Sequence, residues 1–142
     1  MNLFLRSLSI LLFGAMLLAC GDDQASEDHL SSEEHLTKAK TFLELPDQPL
    51  AIIELKKALK KDVNNSQASS LLGKLYFEAG AYEDADKELS RALATGADTI
   101  AVVPMLAKVL LDLGTFERLD TLPLNGLDPE SRSVVQAAKG LS

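Results

Sequence analysis

The segment Leu71-Leu72-Gly73-Lys74-Leu75-Tyr76-Phe77, followed by Gly80-Ala81-Tyr82 and then by Ala85, Leu89 and Ala92, recurs along the chain at a fixed interval. Moving back 34 residues, Gly73 meets Ala39, Tyr76 meets Phe42, Ala85 meets Ala51, Leu89 meets Leu55 and Ala92 meets Ala58. Moving forward 34, Gly73 meets Ala107, Tyr76 meets Leu110, Gly80 meets Gly114 and Tyr82 meets Phe116. No gap is needed, which sets units at 32–65, 66–99 and 100–128. A repeat of this length is one supersecondary unit that buries its apolar face only by stacking on neighbours. Here the unit is a helical hairpin, with small residues where helices cross so that backbones approach closely. Gly73 and Ala85 are expected to face each other inside the second unit. Gly80-Ala81 supplies its turn, since glycine reaches the left-handed conformation that ends a helix. In the first unit Pro46-Asp47-Gln48-Pro49 makes the turn, proline stopping the helix.

These small and large positions resemble the tetratricopeptide (TPR) motif, and the second unit carries the resemblance best. It implies an all-α TPR helical-hairpin solenoid, about three repeats plus the first helix of a fourth, behind a lipoprotein signal peptide. The first unit departs from the motif at Lys38, where leucine is preferred, and at Val63, where proline is frequent. The third departs more: Pro123 is expected to stop its second helix near Leu122. Asp128-Pro129-Glu130 then predicts a new helix, an N-cap acid followed by proline at the first helical position. That helix would run to Leu141, with Gly140 in the small-residue position of a fourth unit. Val134, Val135, Ala138 and Leu141 are then expected to form an exposed apolar edge through which copies could self-associate. The chain would be the front of a longer array or a truncated copy; in the alternative, the last helix caps itself.

The first twenty residues have a different character. Arg6 is their one charge, and the run from Leu8 to Leu18 is apolar but too short for a comfortable membrane span, which takes about 20 residues. It ends in Leu17-Leu18-Ala19-Cys20, which resembles the bacterial lipobox. That resemblance implies cleavage after residue 19, lipidation of Cys20 and a permanent anchor, since each buried methylene contributes about 0.8 kcal/mol. Residues 20–31 read as the lipidated Cys and a flexible acidic tether, and 32–142 as the repeat array. Lipoprotein sorting places an aspartate directly after the cysteine in inner-membrane proteins. Gly21 stands there instead, so the expected location is the periplasmic face of the outer membrane.

Charge narrows the partner. Without Arg6 the 14 Lys and Arg fall to 13 against 21 Asp and Glu, a formal charge of −8. Nucleic acid is thereby disfavoured, because phosphate binding rests on basic side chains, and so is a general attraction to anionic lipid. Cys20 is the one cysteine, so an internal disulfide is impossible.

Beyond the TPR positions, Gln48 to Leu59, Lys61 to Asn65, Leu71 to Tyr76 and Val103 to Leu111 resemble successive segments at the start of the TPR-repeat lipoproteins of the PEP-CTERM system. Those are long arrays encoded beside exosortase and exopolysaccharide machinery. The resemblance implies a periplasm-facing scaffold in exopolysaccharide production or export, or in handling PEP-CTERM proteins. Two other classes stand beside it: an assembly-factor lipoprotein for outer-membrane barrels or pilus secretins, and an enzyme whose catalytic domain lies beyond Ser142.

TPR arrays bind protein or peptide partners in a groove lined by the first helix of each unit. In this register Lys40, Lys74 and Lys108 are expected to stack as one ladder, and Glu44, Glu78 and Asp112 as a second, four residues further along each helix. The plainer reading is three solvated pairs of about 0.2–0.5 kcal/mol each; the sharper one is a groove that reads a polar or carboxylate-bearing segment. Phe77 and Leu111 would add apolar pockets or pack against a neighbouring repeat. No catalytic residue, metal site or cofactor is expected. His29 and His35 lack a third ligand at metal spacing and are expected to face solvent. The sequence has no Gly-rich phosphate loop and no nucleophile elbow.

Overall fold

Five of the six described α-helices begin where a side chain satisfies free N–H groups. The computed structural model describes residues 29–45, 47–125 and 127–140. The signal segment, Cys20, most of the tether, Pro46, Gly126 and Leu141 therefore lie outside the described residues. Ser31 opens α1 (Ser32–Glu44) with a capping box: its hydroxyl accepts from the Glu34 N–H, and its own N–H donates to the Glu34 carboxylate at 2.7 Å. Asp47, Asn65 and Asp98 cap α2 (Gln48–Lys61), α3 (Ser66–Glu78) and α5 (Thr99–Asp112) through their side-chain oxygens. Asp128 accepts from the Glu130 and Ser131 N–H groups at 3.0 Å and Pro129 begins α6 (Pro129–Gly140), as its sequence predicts. Only α4 (Tyr82–Ala94) starts without a side-chain cap among the α-helices whose caps are described.

Gly80 closes the second hairpin as expected. Its φ of 74° lets the Ala81 N–H donate back to the Tyr76 carbonyl at 2.9 Å, the bond that ends a helix in a left-handed turn. Adjacent helices pack in pairs, α1 on α2 and α3 on α4, and successive hairpins join through α2 on α3 and α4 on α5. The described residues contain no strand. Ala39, Ala51, Leu55, Ala58, Ala85, Leu89, Ala92 and Ala107 are all fully buried, so the 34-residue register is a register of core positions. The core has two clusters: one around Leu36, Leu55 and Leu72, the other around Leu89, Leu106, Leu110 and Val135, with Tyr76 packed against both. The atoms nearest to where a Gly73 Cβ would stand belong to Leu89, at 2.7 and 2.8 Å, rather than to Ala85.

The third unit lacks a second α-helix. In its place is a short 3-10 segment, Phe116–Thr121, and the chain is extended at Leu122, immediately before Pro123. That truncation corrects the expectation of an exposed apolar edge on α6. Val135 is 0% and Ala138 2% exposed, because α6 packs on α5 and on the 3-10 segment and covers what a full helix would have covered. Val134 is half-buried, and Gly140 is exposed with open space around it rather than at a helix crossing.

Among the described residues, the faces that α1 and α6 turn away from the other hairpins are polar. Ala68, Leu72 and Leu75 of α3 bury against the first hairpin. The residues 34 positions earlier on α1 are Glu34, Lys38 and Thr41, all exposed. On α6, Arg132, Gln136 and Gly140 are exposed opposite the buried Val135 and Ala138. Lys38 departs from the motif because no preceding hairpin in the described residues needs a leucine there.

Candidate partner-binding groove

Stacked hairpins set α1, α3 and α5 side by side, and the surface they share is the candidate groove. Lys40 on α1 donates to the side-chain amide oxygen Oε1 of Gln67 on α3 at 3.1 Å, a bond from one unit to the next. A cleft of about 290 Å³ lies between the end of α1 and α3, lined by Leu43, Leu45, Leu71, Leu75, Lys74 and Glu78, with Gln48 at its edge. A second of about 290 Å³ lies between α3 and the start of α5, where Gln67, Ser70 and Leu71 face Ala97, Asp98 and Ala101. Leu71 lines both, so one apolar side chain sits at the middle of the groove with polar groups on either side.

All six ladder residues, Lys40, Glu44, Lys74, Glu78, Lys108 and Asp112, are exposed. Lys74 and Glu78 stand 3.8 Å apart, at 55% and 42% exposure, and both line the first cleft. An exposed pair of this kind contributes little to stability, which leaves both groups available to a ligand at small cost. Lys40 is held by Gln67 instead of by Glu44. Phe77 is half-buried: its ring lies 6.1 Å from that of Tyr82 and packs against the second core cluster, as does Leu111. Of the two roles the sequence allowed these residues, the structure shows packing. Leu43, Leu45 and Leu71 supply the apolar floor in their place. Their signal in the sequence is weak, since apolar residues on a helix are ordinarily core.

His29 is exposed, but His35 is not. His35 is 1% exposed on α1, and its Nδ1 lies 2.7 Å from the Glu54 carboxylate on α2, which also accepts from Lys57 at 2.9 Å. The expectation that His35 faces solvent is therefore corrected: it stands on the face that meets α2, where a buried ring needs a polar partner and Glu54 provides one. Burial pushes the Glu54 carboxyl up, but the hydrogen bonds from His35 and Lys57 outweigh it and hold the group below its usual range. The second hairpin repeats the device. Ser69, Glu88 and Arg91 stand 34 residues after His35, Glu54 and Lys57; Arg91 donates to Ser69 at 3.1 Å and pairs with Glu88. In the third unit the first two positions are Val103 and Leu122, both buried, and the polar clamp gives way to apolar packing. The clamps fasten the two helices of a hairpin beside the groove and are structural.

No group of three or more His, Cys, Asp or Glu among the described residues is placed to hold a metal ion. No helix among the described residues is long and apolar enough to cross a membrane. The tetratricopeptide repeat family matches residues 51–109, from the second helix of the first unit into the first helix of the third. No curated protein matches the chain. With the paired helices, this match makes the array a TPR-type helical-hairpin solenoid, a fold that typically serves as a protein-interaction scaffold rather than as an enzyme.

Proposed function

We propose that this TPR-type solenoid is a lipid-anchored scaffold, held at the membrane through Cys20 and facing the periplasm, that receives a protein segment in the groove of α1, α3 and α5. The outer membrane is the favoured location. The process it serves is exopolysaccharide production or export linked to the PEP-CTERM and exosortase system, to which the segments at 48–59, 61–65, 71–76 and 103–111 are similar.

The observation that carries the binding part is the cleft at Leu43, Leu45 and Leu71, where an apolar floor meets the paired but exposed Lys74 and Glu78. Such a surface fits an extended segment with one apolar side chain and flanking polar groups. Lys40, Lys74 and Lys108 contact its carbonyl or carboxylate oxygens. The anchor is carried by the lipobox-like Leu17-Leu18-Ala19-Cys20.

The test is a pull-down from detergent-solubilised membranes with the lipidated chain as bait and Cys20→Ser as control. Exopolysaccharide or PEP-CTERM components are expected with the lipidated bait alone. Recovery of a secretin or barrel-assembly complex would replace the pathway assignment. The groove is tested separately by replacing Lys40, Lys74 and Lys108 together with alanine, a helix-favouring change. Loss of the recovered partner with unchanged helical content supports the groove, and undiminished recovery rejects it.

A further inference from the structure

We infer that the groove takes an uncharged, extended peptide strand that crosses α3 diagonally. A large apolar side chain of the strand enters the α1–α3 cleft and, four residues along, a hydroxyl or amide side chain enters the α3–α5 cleft. The inference rests on the groove reading above and deepens it by naming the segment.

The two clefts differ in chemistry. Leu43, Leu45, Leu71 and Leu75 make the first an aliphatic site. Leu45, one of its walls, is 54% exposed, an apolar surface that an incoming side chain would take out of water. In the second, Ser66, Gln67 and Ser70 face Ala97 and Ala101, so one wall is polar and the other small. The Ser70 hydroxyl has no partner among the described residues, and Gln67 has its amide nitrogen to offer, since its oxygen accepts from Lys40. A group that both donates and accepts satisfies them, as a hydroxyl or a carboxamide does. At about 290 Å³, each cleft has room for one side chain.

Charge complementarity points to a neutral occupant. Lys74 and Glu78 in the first cleft stand 3.8 Å apart and balance each other. Asp98 is the one charged residue lining the second. Its carboxylate accepts from the Ile100 N–H at 3.0 Å, at the positive end of α5. A charged side chain would lose water in either cleft without gaining an unpaired counter-charge.

Spacing sets the conformation. On α3 the first cleft is lined from Leu71 to Glu78 and the second from Ser66 to Leu71, so their centres lie about 9 Å apart along the helix. The clefts flank α3 on opposite sides, which adds about 10 Å across, one helix spacing. The resulting diagonal is about 13 Å. A β-strand returns to the same face every two residues and covers about 13 Å in four. Polyproline II repeats its face at three residues, about 9 Å, and an α-helix at seven, about 10.5 Å, so both fall short. The strand residue midway between the anchors falls on Leu71, which lines both clefts, and a small side chain fits there.

The test is selection of random peptides displayed on phage against the full lipidated chain held in detergent. Enriched peptides are expected to carry a large apolar residue, a small one two places on, and serine, threonine, asparagine or glutamine two places further. Affinity for a selected peptide is expected to change less than about twofold between low and physiological salt, since no net charge is read. Ala101→Leu fills the second cleft at an exposed position with a good helix former. It is expected to shrink the selected polar residue to glycine or alanine and to leave the apolar anchor unchanged. Leu71→Gln, with helical content verified, is expected to abolish capture. Anchors three or seven places apart, a charged residue at either anchor, a steeper salt dependence, or the same selection by Ala101→Leu overturns the inference. The groove reading stands in those cases if Leu71→Gln still abolishes capture. No enrichment, or capture indifferent to Leu71→Gln, overturns both readings. A dimer of the chain alone that Leu71→Gln dissolves assigns the clefts to a second copy and overturns the peptide assignment.

Discussion

Two residues show how far single positions control this fold. A Gly73 side chain would place its Cβ 2.7 Å from Leu89 Cγ and 3.1 Å from the Leu89 backbone nitrogen. Leu89 is fully buried and cannot swing aside. Gly73→Ala is therefore expected to destabilise by about 1–2 kcal/mol, overpacking of 1–3 offset in part by the better helix propensity of alanine. Urea unfolding checks this, and an unchanged or higher midpoint would contradict it. Glu54 carries a pH dependence whose sign follows from its lowered folded pKa. Stability from that shift is fully present above the ordinary glutamate value of about 4.3 and is lost as pH falls through the folded pKa, since the unfolded chain then binds more protons. Glu54→Gln is expected to be less stable than the parent at pH 6, with the gap narrowing towards pH 3 in parallel acid-unfolding curves. A gap that stays constant would rule out this linkage. Gly73 was legible in the sequence because the repeat marks it as small. The role of His35 was not: a histidine near a helix start suggests solvent, and its partner is 19 residues away on another helix. The signal lay in the 34-residue offset of Glu54 from Glu88 and Lys57 from Arg91, charged positions that periodicity of apolar residues does not pick out.

At the scale of elements, the sequence marks starts and stops better than it marks replacements. Asp128-Pro129 fixes the beginning of α6, and Gly80 the end of the second hairpin's first helix, because each acts through its own backbone and neighbours. Pro123 likewise predicts that the third unit's second helix stops near Leu122, but not that the segment before it is 3-10 rather than α. What the helix becomes depends on tertiary contacts that no local pattern contains. Leu119 is fully buried within the 3-10 segment, while Arg118 reaches back to α4, donating to Asp86 at 2.8 Å and to Ser90 at 3.0 Å. Arg118 is 44% exposed, so this contact fixes position more than it stabilises. A short 3-10 turn with poorer hydrogen bonds and one buried anchor is a place of local opening. Amide hydrogen exchange at Phe116–Thr121 is accordingly expected to be faster than in the middle of α4, whose Leu89 and Ala92 are fully buried. Protection of the two segments to the same degree would mean that the 3-10 segment unfolds only with the whole array.

For the molecule as a whole, a solenoid of identical units would expose an adhesive face at each end, and stability would depend on what stacks there. This array departs from its own repeat at those faces. Where α3 buries Ala68, Leu72 and Leu75 against the preceding hairpin, α1 turns Glu34, Lys38 and Thr41 to solvent. At the far side α6 buries Val135 and Ala138 and exposes Arg132 and Gln136. The sequence shows Lys38 as a defect in the motif. The structure gives it a physical cause, because a leucine there would extend the apolar face where no described residue covers it. Restoring the repeat on α1 tests that account. Glu34→Ala, Lys38→Leu and Thr41→Leu together place on the outer face of the first hairpin the residue types that α3 uses for stacking. Glu34→Ala also removes half of the Ser31 capping box, a loss of about 1 kcal/mol, so Lys38→Leu with Thr41→Leu is the companion variant that leaves the cap intact. Both are expected to self-associate more strongly than the parent, as a sedimentation coefficient that rises with concentration while helical content is kept. The new face is self-complementary only through a twofold axis, so the product is a dimer rather than a filament. If the double variant sediments like the parent at every concentration, polarity at this face is not what limits stacking. The explanation would then lie in the shape of the first hairpin.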